Sequence, residues 1–129
     1  MWLKIAKIFI IDDDIDIILL FEQFLVIEGH EIIAKAYNGE EAIEIFKNLQ
    51  YNPDIILMDH RMPLKNGLET TKAILNINPN SKIIFISADY TVRTEALNIG
   101  AIDFLEKPID FTTLIAIVEK YLIAKNQIT

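Results

Sequence analysis

Short unbroken apolar runs alternate along this chain with longer stretches in which apolar residues recur every three or four positions. The short runs are too brief for buried helices and fit strands covered on both faces. The first is Lys7–Ile11, which runs into Asp12, Asp13 and Asp14. A helix over Ile15–Glu28 follows, closed by Gly29. Apolar residues at 17, 20, 21, 24 and 27 predict its core face. Ile18, Leu25 and Val26 then fall off that face, so the helix carries more apolar surface than one sheet contact needs, a candidate partner patch.

Glu31–Ala36 reads as the second strand. Asn38-Gly39-Glu40-Glu41 has the form of a capping box and opens a helix running to about Leu49, with Ala42, Ile45, Phe46 and Leu49 inward. Tyr51-Asn52-Pro53 breaks that helix. Asp54 then leads into Ile55-Ile56-Leu57-Met58, the third strand, which ends at Asp59, with Pro63 stopping the run. Asn66-Gly67-Leu68-Glu69 repeats the capping pattern and starts a helix ending near Ile77, and Asn78-Pro79-Asn80 forms a turn. Lys82–Ile86 is the fourth strand, with Ser87 at its carboxyl end. A helix from about Thr91 to Ile99 ends at Gly100. Ala101–Leu105 is the fifth strand, closed by Glu106-Lys107-Pro108. Asp110 caps a last helix whose inward stripe is Phe111, Leu114, Ile115, Val118 and Leu122. Strand and helix alternate five times, which predicts an α/β fold with a parallel sheet. The strand order does not follow from the pattern.

At 129 residues the chain has room for one domain, expected to span 1–129 with its core at about 7–125. No apolar run reaches membrane-spanning length. The opening Met1–Lys7 lacks a long apolar segment with a cleavage site, so no signal peptide is read there. The absence of cysteine excludes disulfides and thiolate metal sites and is compatible with a cytoplasmic location. A net charge of −7 argues against direct binding to a nucleic-acid backbone.

The chemistry collects just past the strands' carboxyl ends, where open parallel sheets hold their ligands. Asp12 and Asp13 follow the first strand, Asp59 the third, Ser87 the fourth and Lys107 the fifth. Three carboxylates brought together repel, which raises their pKa values unless a cation intervenes. A hard, oxygen-rich site with few protein ligands suits Mg²⁺. An ammonium and a hydroxyl beside such an ion suit a phosphoryl group, and one carboxylate can serve as nucleophile. Asp14 reads as a helix N-terminal acid. His30 and His60 read as isolated loop or surface residues, not ligands.

Asp12-Asp13, Asp59-His60-Arg61-Met62-Pro63 with Gly67 beyond, Ile86-Ser87-Ala88, and Gly100-Ala101 leading to Lys107-Pro108 stand in order, each at a strand end. Together they resemble the receiver domain of two-component response regulators, including single-domain chemotaxis and sporulation regulators, from about Lys7 to Leu122. The resemblance implies a flavodoxin-like doubly wound (βα)5 fold, a five-stranded parallel sheet of order 2-1-3-4-5 with helices on both faces, and a cis peptide bond before Pro108. It implies Asp59 as phosphoacceptor. Mg²⁺ would be bound by Asp13, Asp59 and the Arg61 backbone carbonyl, with Asp12 acting through a metal-bound water. Ser87 and the Ala88 N–H would bind the phosphoryl group, and Lys107 would pair with it. Ser87 and the fifth-strand aromatic, here Phe104, would form the switch. Phe104 has no hydroxyl, so its inward position must rest on packing. The surface from about Thr91 to Lys125 would change. Arg61 and Asp89 hold the family's two rate-tuning positions, and their opposite charges predict a pair across the pocket mouth.

The implied donor is a sensor histidine kinase or a histidine phosphotransfer protein, docking on the first helix and the loop after the fifth strand, with Ile17, Ile18 and Pro108 as contacts. The implied output is a downstream protein target or an attached output domain, and the fourth-helix to fifth-helix face is the family's usual homodimer surface. No membrane partner is expected. Two other readings compete. Ile11-Asp12-Asp13-Asp14 also fits the strand-then-Asp-x-Asp pattern of haloacid-dehalogenase-like phosphatases, with Asp12 as nucleophile. That reading leaves Asp59-x-x-Met62-Pro63 unexplained, and no later strand ends in an acidic pair. The other is a receiver-like binding module that is not phosphorylated.

Overall fold

The computed structural model describes residues 5–127, with side chains over 5–122. The opening Met1–Lys4, part of the segment read above for a signal peptide, lies outside the described residues. The elements are β1 (Lys7–Ile11), α1 (Ile15–Ile27), β2 (Glu31–Ala36), α2 (Gly39–Asn48), β3 (Ile55–Met58), α3 (Gly67–Ile77), β4 (Ile83–Ser87), α4 (Arg93–Ile99), β5 (Asp103–Glu106) and α5 (Phe111–Gln127). A 3-10 turn over Tyr90–Val92 leads into α4. The five strands are parallel, in the order β2-β1-β3-β4-β5. This is the flavodoxin-like arrangement that the motif resemblance implies. Among the described residues no helix is long and apolar enough to cross a membrane.

The all-apolar strands divide their side chains between two cores. Ile8, Ile10, Ile55, Leu57, Ile84 and Ile86 face Ile18, Phe21 and Leu25 of α1 and Leu114, Val118 and Leu122 of α5. Phe9, Ile11, Ile56, Met58, Ile83 and Phe85 face Ala42, Phe46, Leu68, Ile74 and Ala96 of the helices opposite. The period-2 alternation is therefore present but hidden, because both faces are buried and both need apolar residues.

The helices end much as their sequences predict. Asn66 and Glu69 form a complete capping box at α3. At α2 the box is displaced by one residue: Asn38 accepts from the Glu41 N–H, but the Glu41 carboxylate accepts from the Tyr37 N–H. Asp14 caps α1, accepting from the N–H groups of Asp16 and Ile17.

The core face of α1 corrects the sequence reading. Ile18 and Leu25, placed off the face above, are fully buried, while Leu20 and Ile27, placed on it, are 41% and 75% exposed. Apolar residues occur nearly all the way round Ile15–Ile27, so helical spacing alone does not fix which stripe turns inward. The sheet and α5 make that choice, with Phe24 packed edge-on against Phe111, ring centroids 4.8 Å apart.

The histidines also correct it, for both are buried. His30 sits where the chain leaves α1, and its Nδ1 accepts the Ala6 N–H at 3.1 Å. Its Nε2 therefore carries the proton in the neutral ring, and that atom has no hydrogen-bond partner. Burial lowers the His30 pKa, with Glu119 and Glu28 pulling it back up. A base with a depressed folded pKa leaves stability intact above its unfolded value, and that stability is lost as pH falls below it. Protonation also removes the acceptor that Ala6 uses. His30→Asn offers an oxygen acceptor that does not titrate. It should fold with near wild-type stability at about pH 8 and lose less stability than wild type between about pH 7 and pH 5. Denaturant midpoints measured across that range check this.

Candidate functional site

Backbone bonds of the sheet continue one residue past the strand ends and set the site residues in place. The Asp12 N–H donates to Ala36 O, the Asp59 N–H to Ile11 O, and the Lys107 N–H to Ser87 O, at 2.9–3.1 Å. Gly67 closes the loop after β3: its N–H donates to His60 O, and a Cβ there would lie 2.3 Å from Asp59 O. The spacing from Asp59 to Gly67 is thus a packing requirement at the strand end.

Asp12 and Asp59 are buried and Asp13 is exposed. One carboxylate oxygen from each lies within 4.8 Å of the others. Lys107 Nζ donates to Asp12 Oδ2 at 2.7 Å and stands 3.4 Å from Asp59 Oδ1. The other oxygen of Asp12 accepts the Asp14 N–H at 2.9 Å. Burial, and next the charge of Asp12, push the Asp59 carboxyl up to about 7, with Lys107 working in the opposite direction. Burial opposes the charge on Lys107, but the hydrogen bond and charge of Asp12, with the charge of Asp59, hold its ammonium above the usual lysine value. Three hard oxygen donors in an over-negative cluster, one of them open to solvent, fit a small divalent cation that keeps several waters.

Ser87 is buried, and its Oγ accepts the Asp89 N–H at 3.1 Å; Ala88 after it is exposed. Asp89 Oδ2 accepts from Arg61 Nε and Nη2 at 3.2 and 3.1 Å, so the pair expected across the pocket mouth is present. Asp89 Oδ1 accepts from the Thr91 N–H and hydroxyl, capping the 3-10 turn before α4. The Thr91 hydroxyl, first, and Arg61 hold the Asp89 carboxyl below the usual carboxylate range. The Lys107–Pro108 bond is cis. Phe104 is buried, stacked on Phe85 with centroids 6.0 Å apart and met edge-on by Tyr90 at 5.9 Å. Its side-chain contacts in this buried position are ring packing.

The three elements carrying the carboxylates and the lysine therefore converge, and the pattern over residues 8–119 matches the model of the response regulator receiver domain. The chain belongs to that family. The receiver is 38% identical to the chemotaxis protein CheY of Thermotoga maritima, over 79% of this chain and 85% of that one. It is 32% identical to CheY of Bacillus subtilis, over 90% and 97%. Among solved structures it superposes on a CheX–CheY–BeF3–Mg²⁺ complex from Borrelia burgdorferi with a TM-score of 0.84 at 31% identity, covering 89% of this chain and 87% of that one.

Two features of the receiver's site lay beyond sequence reasoning. Tyr90 covers Phe104, a contact between distant segments for which no local pattern exists. His60 is buried beside Asp59, its Nδ1 lacking a hydrogen-bond partner, and burial lowers its pKa. An isolated histidine in a loop motif carries no sign of burial.

The raised Asp59 pKa has a consequence for stability. An acid whose folded pKa lies above its unfolded value binds more protons when folded, so stability present below about pH 4 is lost as pH rises through about 7. Asp59→Asn removes that loss. In the presence of a chelator at about pH 8 it should be the more stable protein, by up to about 4 kcal/mol, with the advantage vanishing near pH 4. Thermal denaturation at both pH values measures it.

Proposed function

We propose that this receiver accepts a phosphoryl group on Asp59 from a phosphohistidine donor and uses the modification to control partner binding. An Asp59 oxygen attacks phosphorus, the P–N bond breaks, and its electron pair leaves with the donor imidazole. The resident cation of this reading is Mg²⁺; Asp13, Asp59 and the Arg61 backbone carbonyl would hold it, with Asp12 acting through water, and it would offset the carboxylate charge and keep Asp59 ionised. Ser87 and the Ala88 N–H take phosphoryl oxygens, and Lys107 supplies the remaining positive charge. The observation that carries this reading is Lys107 Nζ lying between Asp12 Oδ2 and Asp59 Oδ1, with the three carboxylates within 4.8 Å.

Signalling receivers act by binding, so no turnover of an external substrate is part of this proposal. The reading places the protein in the cytoplasm, as one domain over 1–129. Its donor is a sensor histidine kinase or a histidine phosphotransfer protein. Its output is a target protein, an attached output domain or a second copy meeting α4, β5 and α5. Exposed Ile15 and Leu19 on α1, with exposed Pro108, offer the donor its apolar contacts. Ile18 drops out of that set because it is fully buried, and Ile17 is half-buried. The switch is a shift between two packings of the Ser87–Phe104 region, differing by roughly a few kcal/mol. The phosphatase reading is less well supported, since both Asp12 oxygens are engaged by Lys107 and the Asp14 N–H.

Treatment with acetyl phosphate and Mg²⁺, followed by mass spectrometry, should add one phosphoryl group at Asp59 and none in Asp59→Asn. Equal labelling of that variant, or hydrolysis of a phosphate ester through Asp12, refutes the assignment.

In this reading the Arg61–Asp89 pair hinders a water approaching the acyl phosphate. Arg61→Ala and Asp89→Asn, the latter keeping an acceptor for Thr91, should each shorten the phosphoryl half-life roughly two- to fivefold. The double variant should lose no more than the worse single one. A decay time course of the phosphorylated protein reads this directly, and unchanged half-lives would remove the pair from the mechanism.

A further inference from the structure

We propose that the groove between α2 and the loop after β3 is a docking site for a short cationic, amphipathic segment of a partner protein. Leu64 is the reason to look there. It is 71% exposed and has φ 71°, a left-handed conformation that glycine or asparagine adopts at far less cost than leucine. An apolar side chain is thus presented to solvent on a backbone that disfavours it, beside a groove of about 510 Å³. Ile43 contributes a second apolar wall.

The rim is acidic. Glu40, Glu41 and Glu44 line the groove against one cation, Lys65, and among the described residues none of the three glutamates takes part in an ion pair. Glu41 is occupied in holding the Tyr37 N–H, and Glu44 Oε1 accepts from Asn48 Nδ2 of its own helix at 3.4 Å, a neutral donor that leaves the Glu44 charge uncompensated; Glu40 and Glu44 are the charges directed to a partner. Acids in the first turn of α2 suit the helix dipole, which accounts for Glu40 and Glu41 but not for Glu44 in the next turn or for the exposed leucine. The walls are held in register. A Cβ on Gly39 would lie 2.3 Å from both Lys65 O and Thr70 Oγ1, so α2 is seated directly on the loop. Apolar Leu64 and Ile43 next to carboxylates outside any ion pair among the described residues complement an apolar residue flanked by lysine or arginine. The groove is lined by different residues from the carboxylate cluster, and the proposal stands without the phosphorylation reading.

The probe is a synthetic helical peptide of leucine and lysine at amphipathic spacing, titrated into the isotope-labelled protein, with a glutamate-for-lysine peptide as control. Chemical-shift changes should concentrate on Asn38–Glu44 and Leu64–Lys65. Leu64→Gly relieves the backbone and keeps the fold, and should weaken binding about tenfold. The pair Glu40→Gln and Glu44→Gln should weaken it similarly and reduce its salt dependence. Equal affinity in Leu64→Gly, shifts confined to the Asp12–Asp13 region or to α1, or equal binding of the glutamate peptide would each overturn the proposal.

Discussion

One ammonium holds the functional end of this protein together. Lys107 reaches from the end of β5 across the sheet to Asp12 at the end of β1, with Asp59 of β3 beside it. Burial removes the water that would otherwise screen these charges, so the carboxylates repel strongly and attract the lysine strongly at once. The lysine does not balance the cluster, for Asp59 is still pushed up to about 7. A site left over-negative next to a fixed positive charge is suited to a divalent ion and then to a group rich in anionic oxygens. The function proposed above is a way of using that imbalance.

The rest of the fold serves to hold the imbalance in place. Backbone bonds just past the strand ends position Asp12, Asp59 and Lys107, and Gly67 keeps the loop after β3 folded tightly against Asp59. On the neighbouring strand end, Asp89 links Ser87, Arg61 and the turn before α4 through its main chain and carboxylate. Tyr90, in that turn, also meets Phe104 edge-on, so the Ser87 end of β4 and the β5 aromatic share one set of contacts. Phe104 makes these contacts by ring packing alone. Such contacts are individually weak and sensitive to small displacements, which suits the switch proposed above.

The groove beside α2 and the apolar face of α1 are separate surfaces with different chemistry. The first is acid-rimmed and lined in part by the exposed Leu64. The second is a helix side bearing Ile15, Leu19, Leu20, Val26 and Ile27.

Much of this was legible in order along the chain. Three apolar runs ending at Asp12, Asp59 and Ser87, with mixed strands beside them, dictate a parallel sheet buried at its centre. Asp12, Asp13, Asp59, Ser87 and Lys107 are recognisable because they interrupt hydrophobic runs where packing has no use for them. The Arg61–Asp89 pair followed from position and opposite charge. What the chain order did not contain was the choice among equivalent local solutions. The α1 helix is apolar nearly all round, so only its contact with the sheet and α5 selected Ile18, Phe21 and Leu25 for the core. His30 and His60 look like loop residues because their burial comes from segments distant in sequence closing over them. Local pattern determines which residues need shelter from water; only the tertiary structure decides which of them receive it, because shelter is supplied by other parts of the chain.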